Sequence, residues 1–170
     1  MKAAAPDVEI REFRPGDEAA FRRLNEEWIV HYFAMEPKDE KLLIDPHGAI
    51  LARGGRIFFA IRDGIPVGCC ALLAAEPGEF ELAKMAVTES VRGSGVGREL
   101  LEKTIAAACA SGATRLFLET NHRLSPAIRL YESVGFRHYI PGHPSPYARA
   151  DTFMEMSLSA RAASAVTPSS

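Results

Sequence analysis

The sequence predicts a mixed α/β fold, and three observations carry that reading. RIFFAI, VGCCALL and FELAKMAV are strand-like runs separated by little more than turn residues, which makes them an antiparallel meander. GRELLEKTIAAACA, directly behind the glycine-rich SVRGSGVG, repeats apolar residues at helical spacing. Beyond it TRLFLET, SPAIRLYESVG and FRHYI alternate strand, helix and strand. A chain of 170 residues, 47% hydrophobic and 25% charged, has the length and composition of one domain with a sizeable core. The expected division is a single domain over residues 1–159 and a flexible tail over 160–170.

The elements follow in order. VEIREF alternates as a short strand, after which Pro15, Gly16 and Asp17 open a helix, with Asp17 as N-cap and Phe21, Leu24 and Trp28 on one face. Pro37, Pro46 and Gly48 break the next stretch, HYFAMEPKDEKLLIDPHGAILARGG, into short helical turns. In the meander, Asp63-Gly64 is a hairpin signal and Pro77-Gly78 suits the central pair of a type II turn. Val96, Leu100, Leu101, Ile105, Ala108 and Cys109 form the inner stripe of the helix behind the glycines, Glu99 and Lys103 pair outside, and Gly112 ends it. Ser125 is the expected N-cap of the following helix, with Pro126 at its first position and Gly135 at its end. DTFMEMSL closes the fold as a strand.

Charge and cysteine usage narrow the function classes. A formal net charge of -2 gives no general attraction to nucleic acid or to an anionic membrane. No apolar run approaches a membrane span, and Asp7 and Glu9 interrupt the start before a secretory signal core could form. Cys69, Cys70 and Cys109 are odd in number and lack metal-ligand spacing, and as strand neighbours Cys69 and Cys70 face opposite ways. They read as reduced thiols of a cytoplasmic protein. His31, His47, His122, His138 and His143 show no paired spacing, so no metal is expected.

The glycines ask for a ligand. A strand, a glycine-rich turn and a helix N-terminus bring unpaired backbone N–H groups and the positive end of a helix dipole together, a recipe for binding phosphate. A nucleotide-triphosphate loop would need Lys followed by Ser or Thr after its last glycine, but Gly97 is followed by Arg98 and Glu99. A dinucleotide fingerprint would sit on the first strand of a parallel unit, and this loop follows an antiparallel meander.

Arg92-Gly93-Ser94-Gly95-Val96-Gly97 resembles the Arg/Gln-x-x-Gly-x-Gly/Ala signature of the GNAT superfamily of acyl-CoA-dependent N-acyltransferases. ELAKMAV, LETN and PAIRLYESVGF stand where that family has its fourth strand, the end of its fifth strand and the next helix, so the likeness covers residues 80–139. The resemblance implies a mostly antiparallel mixed sheet of about six to seven strands with about four flanking helices, splayed between the fourth and fifth strands. It implies acetyl-CoA as co-substrate. The backbone of Met85, Ala86 and Val87 would pair with the pantetheine arm, and Arg92 to Arg98 would hold the pyrophosphate. Asn121 and Ser125 would face the arm from the other side, and Tyr131 would stand near the sulfur.

The chemistry of amine acetylation asks for an acid and a base. The departing thiolate is helped by a proton donor, for which Tyr131 is suited, and an amine with a pKa near ~10.4 must lose a proton before it attacks. Strand parity places Glu81 with Ala83, Met85 and Val87, where apolar surroundings would raise its pKa and suit it as base. Lys84 is then expected on the opposite face, snorkelling toward solvent. For the acceptor, Tyr32, Glu36 and Asp39 are candidates to receive an ammonium, and Tyr147 and Arg149 to hold a carboxylate. The reading is an N-acetyltransferase acting on a primary amine of a small molecule or peptide. Transfer of another acyl group and coenzyme sensing without turnover are the alternatives, and a homodimer is one assembly open to it.

Overall fold

The computed structural model describes residues 7–158, so the expected tail over 160–170 lies outside the described residues. A seven-stranded sheet runs through it in the order β1-β2-β3-β4-β5-β7-β6. The strands are β1 (Glu9–Glu12), β2 (Arg56–Arg62), β3 (Ile65–Ala74), β4 (Glu79–Val87), β5 (Arg115–Thr120), β6 (Arg137–His138) and β7 (Thr152–Ser157). All neighbours are antiparallel except β4 and β5. Five α-helices cover the sheet: α1 (Glu18–Tyr32), α2 (Pro37–Ile44), α3 (Pro46–Ala49), α4 (Val96–Ala110) and α5 (Ser125–Val134).

Alternation along the strands makes two cores. Ile57, Phe59, Cys69 and Ala71 meet Phe21 and Leu24 of α1 and Leu42 and Leu43 of α2 on one face. Phe58, Cys70, Leu72 and Leu116 meet Leu100, Leu101 and Ile105 of α4 and Val134 of α5 on the other. Cys69 and Cys70 thus lie in opposite cores, as strand neighbours must. The three cysteines are unpaired thiols.

Turn chemistry follows the residue types. Asp63 and Gly64 both have positive φ, 52° and 75°, the pairing a type I′ hairpin needs, and Gly78 has φ 79°. Local details depart from expectation at three places. Asp17 occupies the N-cap of α1, yet its carboxylate turns back to accept from Arg11 and from the Arg14 N–H instead of capping the helix. Leu124, not Ser125, is the N-cap of α5. FRHYI contributes only Arg137 and His138 to the sheet.

Candidate active site

The site begins where the sheet opens. β4 and β5 pair only over Glu79–Glu81 and Arg115–Phe117, and from there the two strands diverge toward the C-terminal end of β4. A groove of about 360 Å³ occupies the widened gap, lined by Met85, Ala86 and Val87 on one bank and by Leu124, Ala127 and Leu130 on the other. Arg92, Gly93 and Gly97 close its outer end. Gly93 (φ 78°) and Gly95 (φ 90°) take the left-handed backbone that turns the chain into α4, and Gly95 is the N-cap. Val96 plugs the fold below, fully buried.

The loop's side chains are spent on holding its shape. Arg92 donates through Nε to the Val87 carbonyl at 2.9 Å, and its guanidinium lies 5.1 Å over the Trp28 ring. The Ser94 hydroxyl donates to the Val91 carbonyl, and Arg98 turns outward to Ser133 at 2.7 Å. What faces the groove is therefore backbone and glycine. Tyr32 also lies on the groove, its ring tilted against Trp28 with centroids 4.7 Å apart. Arg123, which sequence reasoning did not single out, stands on the opposite bank with its guanidinium 4.7 Å from the Phe33 ring.

A smaller chamber of about 100 Å³ continues inward from the groove. Trp28, Met85, Leu124, Ala127 and Tyr131 belong to both walls, so Tyr131 stands at the junction. The chamber's polar lining includes Glu81 and Lys84 of β4, Glu119 and Asn121 at the end of β5, and Tyr147 and Arg149 of the loop before β7. Asn121 joins the two sides, donating to the Arg149 carbonyl at 2.7 Å and accepting from the Arg123 N–H at 2.9 Å. Ser125 is exposed and lines neither space.

Lys84 corrects the strand-parity expectation. Cys69 pairs with Ala86 and Ala71 with Ala83, so Cys70 alone stands opposite the two residues Lys84 and Met85. This is a β-bulge, with Lys84 at φ 52°, a conformation that costs an ordinary L-residue about 1 kcal/mol or more. The extra residue reverses the alternation: Leu82 packs in the α4 core and Ala86, four positions on, in the α1 core. Lys84 consequently turns to the same side as Glu81, and Met85 packs with Tyr131 instead. Far from reaching solvent, the Lys84 side chain is 4% exposed.

Its partner is Asp39 of α2, wholly buried and bonded to the Lys84 ammonium. Asp39 also accepts a two-pronged contact from Arg149, at 2.8 and 2.7 Å, and the Glu36 N–H at 2.9 Å. Burial alone would push the Asp39 carboxyl up, but the bonds from Arg149 and the charge of Lys84 outweigh it and hold the pKa at about 2. Lys84 donates in addition to the Tyr147 hydroxyl at 3.0 Å. Glu36 reaches the outer side of Arg149 at 3.2 Å and accepts the Ala148 N–H, so it braces the loop and does not line the chamber.

Comparison with known proteins decides the family. Residues 18–136 match the family model described as Acetyltransferase (GNAT) family. The chain belongs to the GNAT acetyltransferase family. An IAA acetyltransferase of Azospirillum brasilense is 36% identical over 104 residues, 61% of this chain and 68% of that one. Several other curated relatives are matched over 56% of their length. A GNAT-family acetyltransferase from Staphylococcus aureus Mu50 superposes with a TM-score of 0.80 at 20% identity, covering 89% of this chain and 99% of that one. The yncA structure from Salmonella typhimurium, solved with its cofactor acetyl-CoA, superposes at 0.71 and 21% identity over 90% and 95% of the two chains. The mixed sheet with its single parallel pair is the GNAT fold, and membership places the chain among acyltransferases.

Within this GNAT site the two candidate catalytic groups have opposite settings. Tyr131 is buried, its hydroxyl 4.0 Å from the Met85 sulfur, and burial pushes its pKa well above that of free tyrosine. The phenol therefore stays protonated at neutral pH. Glu81 has a 13% exposed side chain with Lys38 at 3.5 Å, and burial raises its pKa while the Lys38 charge pulls part of the way back. Glu119, a second carboxylate facing the chamber and missed in the sequence, raises it further. His122 pairs with Asp151 on the surface, and among the described residues no group of three or more His, Cys, Asp or Glu is placed to hold a metal ion. No helix of the described residues is long and apolar enough to cross a membrane.

Proposed function

We propose that this GNAT chain transfers an acetyl group from acetyl-CoA directly to a primary amine of a small molecule or a peptide end. The observation that carries the reading is the junction at Tyr131 between a largely apolar groove with a glycine-lined mouth and a smaller chamber lined by charged side chains. The groove fits the coenzyme in kind. The β5-facing edge of β4 has no strand partner beyond Glu81, and side-chain-free backbone at Gly93, Gly95 and Gly97 meets the start of a 15-residue helix. Met85 to Val87 would hold the pantetheine arm and the backbone of Arg92 to Arg98 the pyrophosphate.

Bound there, acetyl-CoA supplies a thioester carbonyl open to attack by an amine. Glu81, made more basic than a free carboxylate by burial, takes the proton that the acceptor ammonium must lose. Tyr131 keeps its proton until charge develops on the departing sulfur, then gives it there. The buried walls exclude water that would compete for the acetyl group. Mixing the protein with acetyl-CoA and a panel of primary amines and following free thiol tests the reading. Amine-dependent thiol release is the expected result; tight acetyl-CoA binding with no release for any amine would make the chain a coenzyme sensor, and faster release from a longer acyl-CoA would replace acetyl as the group transferred.

A further inference from the structure

The chamber is electrically divided. On the side covered by α2, Lys84 and Arg149 line the wall, while Asp39, which holds both, is buried behind them and Glu36 touches Arg149 from outside. Glu81 and Glu119 face the same space from β4 and β5. Lys38 stands 3.5 Å from Glu81, and the Ser145 hydroxyl donates to Glu119. One wall thus offers N–H donors and the other carboxylate oxygens. The donors are not exhausted. Asp39 and Tyr147 accept two of the three N–H groups of the Lys84 ammonium. Arg149 meets Asp39, Glu36 and the Ala34 carbonyl through its two terminal nitrogens alone, so its Nε has no partner among the described residues.

We infer that the acceptor is a small amine that also bears a carboxylate, as an amino acid does, with its ammonium between Glu81 and Glu119 and its carboxylate on Lys84 and Arg149. This rests on the acetyltransferase reading and narrows its acceptor. A chamber of about 100 Å³ is small, which suits an amine and a carboxylate carried on one carbon. An acceptor with no acid group would leave the third Lys84 N–H and the Arg149 Nε without an anionic partner, whereas a carboxylate accepts charge-assisted hydrogen bonds from both. Asp39 is the positioning residue of the arrangement. It touches no acceptor, but it fixes an ammonium from the β4 bulge and a guanidinium from the loop before β7 along one wall.

The test compares L-α-amino acids with their carboxamides and their decarboxylated amines, measured by calorimetric titration into the protein saturated with coenzyme A and by thiol release from acetyl-CoA. At least one amino acid should bind, with its amide and decarboxylated amine weaker by about 30-fold, the range for hydrogen bonds to a charged group. In Lys84→Met and Arg149→Met the amino acid should bind no better than its amide, with the amide little changed. The wild-type comparison decides the matter even if a variant fails to fold. Acid, amide and amine binding alike across the panel, or no member binding, overturns the inference. Thiol release that is equal for all three also overturns it and leaves the acetyltransferase reading standing; carboxylate-dependent binding without any thiol release does the reverse.

Discussion

The groove and the chamber share the Tyr131 wall but are made of different materials. The groove consists largely of strand backbone, glycines and apolar side chains, and its strand bank and mouth are set within one stretch of chain from β4 to the first turn of α4, faced by α5 and the end of α1. The chamber consists of charges brought from afar: Lys84 and Asp39 are 45 positions apart, and Asp39 and Arg149 are 110 apart. A bank and mouth assembled locally tolerate change elsewhere in the fold. A site assembled at long range makes acceptor binding and the stability of three elements, α2, β4 and the loop before β7, depend on the same contacts.

That contrast can be broken at its strongest point first. Asp39→Asn leaves two buried cations without their shared counter-charge and should cost about 3 kcal/mol of stability, read from denaturant titration. Because the folded pKa of Asp39 lies below its unfolded value, its contribution is present above about pH 4 and lost as pH falls toward about 2. Melting temperature should accordingly fall more steeply across that window in the wild type than in Asp39→Asn. Equal curves would show that the charge cluster is not a structural tie.

Next in size is the junction itself. Tyr131→Phe keeps the ring and its contact with Phe136, so folding and coenzyme affinity should hold while turnover falls by about 10²-fold. Unchanged turnover would reduce Tyr131 to packing. On the groove side, Gly95→Val forces a β-branched residue into φ 90° at the mouth of the groove and should weaken acetyl-CoA binding by about 30-fold in calorimetry. If the acceptor's affinity fell as much in a separate titration, the two regions would not be as independent as their construction suggests. Glu81→Gln should have the smallest effect, about 10-fold at neutral pH, recovering as pH rises and free amine becomes available. The wild-type acid limb, shifted upward from that of free glutamate by burial, should vanish in that variant; if it persists, the base lies elsewhere, and Glu119 is another candidate.

The two regions were unequally legible in the sequence. Much that depends on neighbours along the chain could be read: the meander, the hairpin residues Asp63-Gly64, the glycines before α4, and the split of Cys69 and Cys70 between faces. Lys84 could not, because alternation assumes an unbroken strand and nothing in ELAKMAV marks the added residue; lysine is an unusual occupant of a left-handed position. Once the bulge is missed, Met85 is assigned to the side of Glu81 and Lys84 to solvent. Tyr32 and Glu36 read as acceptor-side residues from their place after the first helix, but the end of α1 carries Tyr32 to the groove while Arg149 draws Glu36 outside the wall. Glu119 was hidden in the simplest way. It lies two residues beyond Phe117, which pairs with Glu81, so that counting across from Glu81 would have found it.

The brief contact between β4 and β5 also bears on how the molecule breathes. Three residue pairs and the Arg115–Glu79 bridge are the sheet's seam between its first four strands and the trio β5, β7 and β6. A joint so short should be compliant, and backbone amides along it should exchange with deuterium sooner than those of the long β2–β3 and β3–β4 ladders. A ligand wedged in the gap above it would touch both halves at once, acting as mortar between two bricks, and would slow exchange on both sides of the seam together.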